Sequence, residues 1–403
     1  MHLALSDDQQ QLRDELRVYF EGLVTPELQE ELAVTEGGGP LAKQAIRRMA
    51  QDGWLGIGWP TEYGGRGFGA VEQFLFYDEA QRAGAPVPFL TINTVGPSIA
   101  NFGSEEMKRE LLPKVLAGEL FFSIGYTEPS AGTDLASLTT RAERDGDDLV
   151  INGQKIYTSL VDHADYVWLA CRTTPWPPEH EGTPVPEGGS KHEGISIVLV
   201  PTDAEGFSYT PIDTVGDART FATYYDDVRV PVSNVVGGLD NGWKVIVGQL
   251  NHERVSLCSS GLLERKYIEV RRWAQQTKLA DSRRVVDQEW VQVHLARVHA
   301  KLEALRLMNY KVAWGTSVGK VSVADSSATK VYGTELYCEA YGLLLEILGA
   351  HGLLRRGSPD ALLKSSLERA YRGTLILTFG GGTNEVQRDL IAVFGLEMPR
   401  SLR

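Results

Sequence analysis

Cysteine is scarce in this sequence: Cys171, Cys258 and Cys338 are the three in 403 residues, and none forms a CxxC pair. Widely spaced single cysteines do not build a disulfide framework or a thiolate metal site, and they are typical of a reducing compartment. No stretch approaches the roughly 18 uninterrupted apolar residues of a membrane helix. The N-terminal residues also lack a basic stretch followed by an apolar one, so we expect no secretion signal and a cytoplasmic protein.

Positive charge is also in deficit. The 40 Lys and Arg residues are outnumbered by 53 Asp and Glu residues, which gives a formal net charge of −13. A nucleic-acid-binding protein needs a basic excess to neutralise phosphates, and anionic membrane surfaces attract the same kind of basic patch. We therefore expect neither nucleic acid nor membrane as a partner.

Several catalytic signatures are missing as well. The sequence has no HExxH, no GxSxG, no P-loop and no GxGxxG after a predicted strand. These absences argue against zinc hydrolases, serine hydrolases, NTPases and dinucleotide-binding Rossmann proteins. His294 and His299 are five residues apart, so a helix turns them away from each other, and we predict no metal site.

What is present divides the chain into three regions: helical patterns, then strand patterns, then helical patterns again. Ser6 is a predicted N-cap before apolar residues at helical spacing. We place the domain boundaries at 1–120, 121–236 and 237–403. Within the β region, Asn152-Gly153 is the predicted turn of a hairpin, and 173–194, with five prolines and four glycines, is a predicted surface excursion.

The C-terminal region contains two informative helices. One, around residues 290–314, has apolar residues around most of its circumference, which is typical of a bundle core or a subunit interface. The other has a predicted apolar stripe of Trp243, Ile246, Val247, Leu250 and Leu257. Glu253 lies on the flank of that stripe. Partial burial there raises a carboxyl pKa and favours a general base, although pairing with Arg254 fits the pattern equally well.

Three polar segments are candidate binding elements. Residues 126–134 (YTEPSAGTD) and 155–159 (KIYTS) concentrate hydroxyls that can hydrogen-bond a flat heteroaromatic ring, but they also fit an ordinary turn and ordinary strand alternation. Residues 380–384 (GGGTN) permit close backbone approach, and Thr383 and Asn384 are good N-cap residues for the following helix.

These segments together resemble the acyl-CoA dehydrogenase family over essentially the whole chain. YTEPSAGTD, DGDDLVINGQKIYTS, DDVRVP, NHER and GGGTNEVQR occur in the family's order. The resemblance implies a mostly α fold with a central β-barrel-like domain, placed between an N-terminal helical domain and a C-terminal four-helix domain that builds a tetramer. It also implies FAD as cofactor, α,β-dehydrogenation of an acyl-CoA thioester to the trans-2-enoyl-CoA, and an electron-transferring flavoprotein as acceptor.

The position of the base departs from the commonest family pattern. Many members carry it in a YEGT segment, and alignment on Thr383 puts Gly381 at that position. A smaller group places it on a helix as the Glu of an ER pair, which matches Glu253-Arg254. The resemblance therefore implies that Glu253 is the catalytic base.

The resemblance also assigns residues to the flavin and the substrate by motif. The isoalloxazine or the thioester end is lined by Tyr126, Thr127, Glu128, Gly132 and Thr133. The flavin is flanked by Tyr157, Thr158 and Ser159, with Ser159 near N5. The FAD phosphates or adenosine are faced by Gly382, Thr383 and Asn384. Arg254 and Gly381 are assigned to the substrate.

A second departure concerns assembly. Homotetrameric members carry an RxxFG motif that reaches a neighbour's FAD, whereas this chain has VRRWAQQTKLAD without the Phe-Gly. The chain is similar to the base-bearing subunit of actinobacterial heterotetrameric acyl-CoA dehydrogenases, which act on steroid side chains. We therefore expect a cholesterol-type side-chain CoA ester as substrate and an α2β2 complex with a second, homologous subunit.

Two other functions remain open on the same scaffold. A flavin monooxygenase or nitroalkane-type oxidase would show rapid reaction of its reduced flavin with oxygen. A non-catalytic subunit would only complete a partner's site, which Gly381 alone permits and Glu253 argues against.

Overall fold

The computed structural model describes residues 4–35, 38–176, 189–256, 258–320 and 322–399, and within 250–256 it describes the backbone alone. The N-terminal part is helical, as predicted. Its helices are α1 Asp7–Leu23, α2 Pro26–Thr35, α3 Pro40–Gln51, α4 Ala70–Ala83, α5 Gly96–Phe102 and α6 Glu105–Leu116. The predicted N-cap is confirmed: Ser6 Oγ accepts from the Gln9 N–H, and Gln9 Oε1 accepts from the Ser6 N–H.

The middle part is a single open sheet. Its strands are β1 Phe122–Gly125, β2 Arg141–Asp145, β3 Asp148–Lys155, β4 Tyr166–Arg172, β5 Ile195–Pro201, β6 Phe207–Asp213, β7 Arg219–Pro231 and β8 Val235–Val236. The order is β6-β7-β3-β2-β4-β5-β8, and β1 pairs in parallel with β4. Among the described strands β6 and β8 are therefore edges, and the sheet does not close into a barrel. The excursion predicted at 173–194 lies largely outside the described residues.

The predicted position of the β2–β3 turn is wrong. The turn lies at Gly146, whose φ is +66°, and Asp145 pairs with Asp148 across it. Asn152-Gly153 instead lies inside β3, where the pairing with β7 shifts register. Asn-Gly is favoured in tight turns, but here the Asn152 side chain bonds the side chain and the main-chain N–H of Asp227, so it stabilises a bulge.

The C-terminal part is again helical. Its helices are α7 Gly242–Ser256, α8 Ser260–Gln276, α9 Glu289–Ser317, α10 Val323–Leu348, α11 Ser366–Thr374 and α12 Asn384–Gly395. The changes from helix to strand and back are the basis on which we propose the domain boundaries near residues 120 and 236.

One core places α7 against the sheet. Val245 and Ile246 of α7 belong to the same buried cluster as Trp168 of β4 and Ile197 of β5. Val247, which the predicted stripe placed in the core, is exposed, and Val245 occupies that face instead. The helix that carries Glu253 therefore lies across one face of the β region.

Candidate active site

The segment 126–134 begins directly after β1 and is shaped from within by Glu128. The Glu128 carboxylate accepts from Lys155 Nζ at 2.8 Å, from the N–H and hydroxyl of Thr139 at 2.7 Å each, and from the Thr140 N–H at 2.8 Å. Burial raises the pKa of the Glu128 carboxyl, but the Lys155 ammonium and the Thr140 hydrogen bonds outweigh this and lower the pKa to about 2. Because internal donors saturate this carboxylate, Glu128 fixes the shape of the segment. Its exposed members include Gly132 and Thr133, both of which the sequence assigned to the site.

Tyr126 connects this segment to α7. Its hydroxyl accepts from Trp168 Nε1 at 3.0 Å and donates to Gln249 Oε1. Gln249 is completely buried, and its Nε2 meets no acceptor among the described residues. Gln249 was not predicted, although it lies four residues before Glu253 on the same helix, and that spacing was the available signal.

The segment after β3 is under backbone strain. Tyr157 and Leu160 adopt left-handed conformations with φ of +62° and +63°. Non-glycine residues in this region cluster at ligand sites. The Tyr157 ring is exposed to solvent, whereas Thr158 is fully buried with its hydroxyl 3.3 Å from that of Thr223.

Hydrogen bonds tie this segment to β1, to β7 and to the first segment. The Ser159 hydroxyl lies 3.1 Å from the Thr220 hydroxyl, and its carbonyl accepts from Ser123 Oγ at 2.7 Å. The Ile156 N–H donates to the Thr127 carbonyl at 2.8 Å. Residues 126–134 and 155–160, which the sequence singled out separately, thus form one surface beside β1.

The glycine segment precedes α12. Gly381 and Gly382 have φ of +68° and +94°, which glycine adopts without the steric cost of a β-carbon. The predicted capping role of Thr383 is confirmed, because its hydroxyl accepts from the Val386 N–H. Asn384 is buried, and its side chain contacts Thr334 and Lys330 of α10, so it supports the segment from below.

Glu253 and Arg254 lie within the α7 backbone, and their side chains are outside the described residues. The contacts therefore bring together α7, residues 126–134 and residues 155–160. The sequence did not indicate the buried Lys330, because it occurs in a helix pattern with no motif of its own, and it did not indicate that Lys155 of the KIYTS segment pairs with Glu128.

The arrangement is matched by known proteins. Acyl-CoA dehydrogenase N-terminal, middle and C-terminal domain models match residues 6–119, 123–228 and 240–396. Acyl-CoA dehydrogenase FadE26 of Mycobacterium tuberculosis is 54% identical, with 100% of both chains covered. The chain belongs to the acyl-CoA dehydrogenase family.

This acyl-CoA dehydrogenase is also similar to two solved structures. A chain of the ChsE4-ChsE5 complex from Mycobacterium tuberculosis is 54% identical, with a TM-score of 0.90 over 100% of both chains. The Tcur3481-Tcur3483 steroid acyl-CoA dehydrogenase is 49% identical, again with a TM-score of 0.90 over 100% of both chains. The predicted fold is thereby confirmed, and the protein belongs to a family of oxidoreductases. No helix among the described residues is both long and apolar enough to span a membrane.

Proposed function

We propose that this acyl-CoA dehydrogenase uses FAD to convert a steroid-like acyl-CoA thioester to its trans-2-enoyl-CoA. It would act in the cytoplasm, in an α2β2 complex that passes electrons to an electron-transferring flavoprotein. The observation that carries the proposal is the Tyr126–Gln249 hydrogen bond, because it joins the segment assigned to the flavin to the helix that carries Glu253. The steroid substrate is supported by similarity to a chain named as a steroid acyl-CoA dehydrogenase.

The surface formed by residues 126–134 and 155–160 fits a flavin. Gly132 and Thr133 are exposed, 58% of Tyr157 is exposed, and Ser159 is half-buried. Main-chain N–H groups and hydroxyls suit the carbonyl oxygens and ring nitrogens of an isoalloxazine. When bound, FAD would supply the hydride acceptor. The protein's part is to place Ser159 and the Tyr157 ring beside it.

Glu253 is the proposed base for the α-proton. By helical period, position 253 shares the face of Ile246 and Gln249, both fully buried. A carboxylate at this position would serve as the general base that removes a proton from a weakly acidic carbon. The two family motifs place the base either at position 381 or at position 253. Gly381 has no side chain, so Glu253 is the carboxylate that this chain provides.

The glycine segment meets the second requirement of the chemistry. As the α-proton leaves, negative charge develops on the thioester oxygen, and fixed N–H donors stabilise it. Gly381 and Gly382 have no β-carbon and adopt left-handed conformations, so a ligand can approach the main-chain N–H groups of this segment. We propose that the main-chain N–H of Gly381, together with Arg254, contacts the substrate, and that Gly382, Thr383 and Asn384 lie on the FAD side.

A partner subunit is supported by the surface of α9. Trp290, Val293, Leu307 and Trp314 are exposed on this helix. Exposed large apolar side chains at such spacing indicate a protein interface. We propose that a homologous subunit covers this face. The similar chain in the ChsE4-ChsE5 complex is named together with a second component.

The test is Glu253→Gln in the co-expressed complex, with the exposed Glu289→Gln as matched control. We expect the Glu253 variant to retain flavin, while the rate of flavin bleaching by a steroid acyl-CoA falls roughly 10²- to 10⁴-fold, the usual contribution of a general base. The control should bleach at the wild-type rate.

Three outcomes would contradict the proposal. A normal bleaching rate in the Glu253 variant would mean that another group is the base. Rapid oxidation by oxygen with indifference to CoA esters would favour the monooxygenase or oxidase function. If the partner subunit bound flavin and the flavin were reduced in the absence of this chain, this chain would be a non-catalytic subunit.

A further inference from the structure

Lys330 of α10 lies beneath the glycine segment and is completely buried. Its ammonium donates to the carbonyl of Thr378 at 3.2 Å, to the carbonyl of Gly382 at 2.8 Å and to Asn384 Oδ1 at 2.8 Å. The two carbonyls lie on either side of Gly380 and Gly381 in the sequence, and Lys330 therefore fixes both ends of that stretch.

The same residue also borders the end of the base-carrying helix. The Lys330 carbonyl accepts from Cys258 Sγ at 3.6 Å, and Cys258 is two residues beyond the last residue of α7. The Cys258 carbonyl in turn accepts from Asn309 Nδ2 at 2.8 Å. Lys330 thus contacts the glycine segment through its ammonium, and through its main-chain carbonyl it contacts Cys258, just beyond the end of the ER helix.

The glycine segment needs such a tether because of its composition. Consecutive glycines lose more conformational freedom on ordering than any other residues. Gly381 and Gly382 also adopt left-handed conformations, so the regular hydrogen bonds of a helix do not fix them. Catalytic donors must be held close to their productive geometry, since a displacement of about 1 Å can cost 10²-fold in rate.

We propose that Lys330 is a positioning residue for the dehydrogenation, and that its buried ammonium fixes the peptide groups of Gly380–Gly382 against which the thioester is bound. This inference rests on the proposed function for the role of the segment. In this role Lys330 acts through the main chain that it anchors at Thr378 and Gly382.

The experiment compares Lys330→Met, Lys330→Gln and the matched control Lys266→Met in the co-expressed complex. Lys266 is also a buried lysine, but its ammonium pairs with Glu269 on its own helix, α8, instead of with the glycine segment. Methionine keeps an unbranched side chain one atom shorter than lysine and removes all donors, whereas glutamine retains two. The readouts are hydrogen exchange of peptides covering residues 378–384, flavin content, and kcat and KM for a steroid acyl-CoA.

We expect Lys330→Met to exchange at least about tenfold faster at 378–384 and to lose roughly 10- to 100-fold in kcat, with a smaller change in KM, as is usual when a supporting contact of a site is removed. Lys330→Gln should be intermediate, and Lys266→Met should match the wild type in both readouts. Wild-type exchange and kcat in Lys330→Met would overturn the inference. If that variant does not fold, the same two readouts on Lys330→Gln decide.

Failure of the proposed function is distinguishable from failure of this inference. A wild-type complex whose flavin no acyl-CoA bleaches would overturn the function, and the exchange comparison would still show whether Lys330 orders the segment. Normal turnover together with unchanged exchange in the Lys330 variants would overturn the inference alone.

Discussion

Glu128 shows how one side chain can serve a site without facing its ligand. It was predicted to line the flavin or the thioester end, yet its two carboxylate oxygens accept hydrogen bonds from Lys155, Thr139 and Thr140. Lys155 also donates to the Tyr126 carbonyl at 3.1 Å. The pair therefore fixes the segment whose exposed part is available to a ligand, and we propose a positional role for Glu128.

This pair gives a prediction about pH. Because the pKa of Glu128 is lowered from 4.5 to about 2, its charge stabilises the fold above pH 4.5, and that contribution is lost as the pH falls toward 2. We expect Glu128→Gln to lower the urea midpoint at pH 7, and the difference from wild type to shrink at pH 3.

Exposed Glu143→Gln on β2 is the matched control, and it should leave the midpoint unchanged at both pH values. A difference between wild type and Glu128→Gln that stays constant from pH 7 to pH 3 would show that the Glu128 pKa is not lowered.

At the scale of the element, the glycine segment is the part of the site that depends most on backbone conformation. A β-carbon at Gly382 would lie 2.8 Å from Gln387 Nε2, and its φ of +94° is unfavourable for other residues. We expect Gly382→Ala to cost roughly 1–2 kcal/mol of stability and to slow turnover, because the segment must shift. The urea midpoint and kcat measure the two effects.

Gly22→Ala is the control, since Gly22 lies within α1 and a β-carbon there meets nothing within 4 Å. That change should stabilise the protein by about 0.5–1 kcal/mol, because alanine is the better helix former. Equal stabilisation by both changes would contradict the left-handed conformation of Gly382.

At the scale of the whole molecule, α9 has an apolar face that no other part of the described chain covers. Trp290, Val293, Leu307 and Trp314 are exposed there, although the opposite face of the helix is buried in the bundle. If a homologous subunit covers this face, an added charge is desolvated on assembly, at a cost of several kcal/mol.

We expect Leu307→Glu to reduce the mass of the co-expressed complex, measured by size-exclusion chromatography with light scattering. Val18→Glu is the control, because Val18 of α1 is still more exposed and lies far from α9 in the sequence. A full-size complex from the Leu307 variant would mean that the interface lies elsewhere.

Much of the architecture could be predicted from the sequence because it depends on local rules. The Ser6 and Thr383 caps are confirmed, since a hydroxyl needs only the N–H groups of the next turn. The prediction of a turn at Asn152-Gly153 was wrong because Asp145-Gly146 is also a dipeptide favoured in tight turns. The cross-strand register, rather than turn propensity, places the turn at Gly146.

The sequence by itself determined the order of helices and strands, the caps and the family, because periodicity and motif order are properties of neighbouring residues. The tertiary structure decided that Tyr126 meets Gln249, 123 residues away, and that Lys330 anchors Gly382, 52 residues away. Such contacts join separate elements, and no local pattern specifies them. Burial favours a hydrogen-bond partner for a polar group, and only the folded chain shows which partner is within reach.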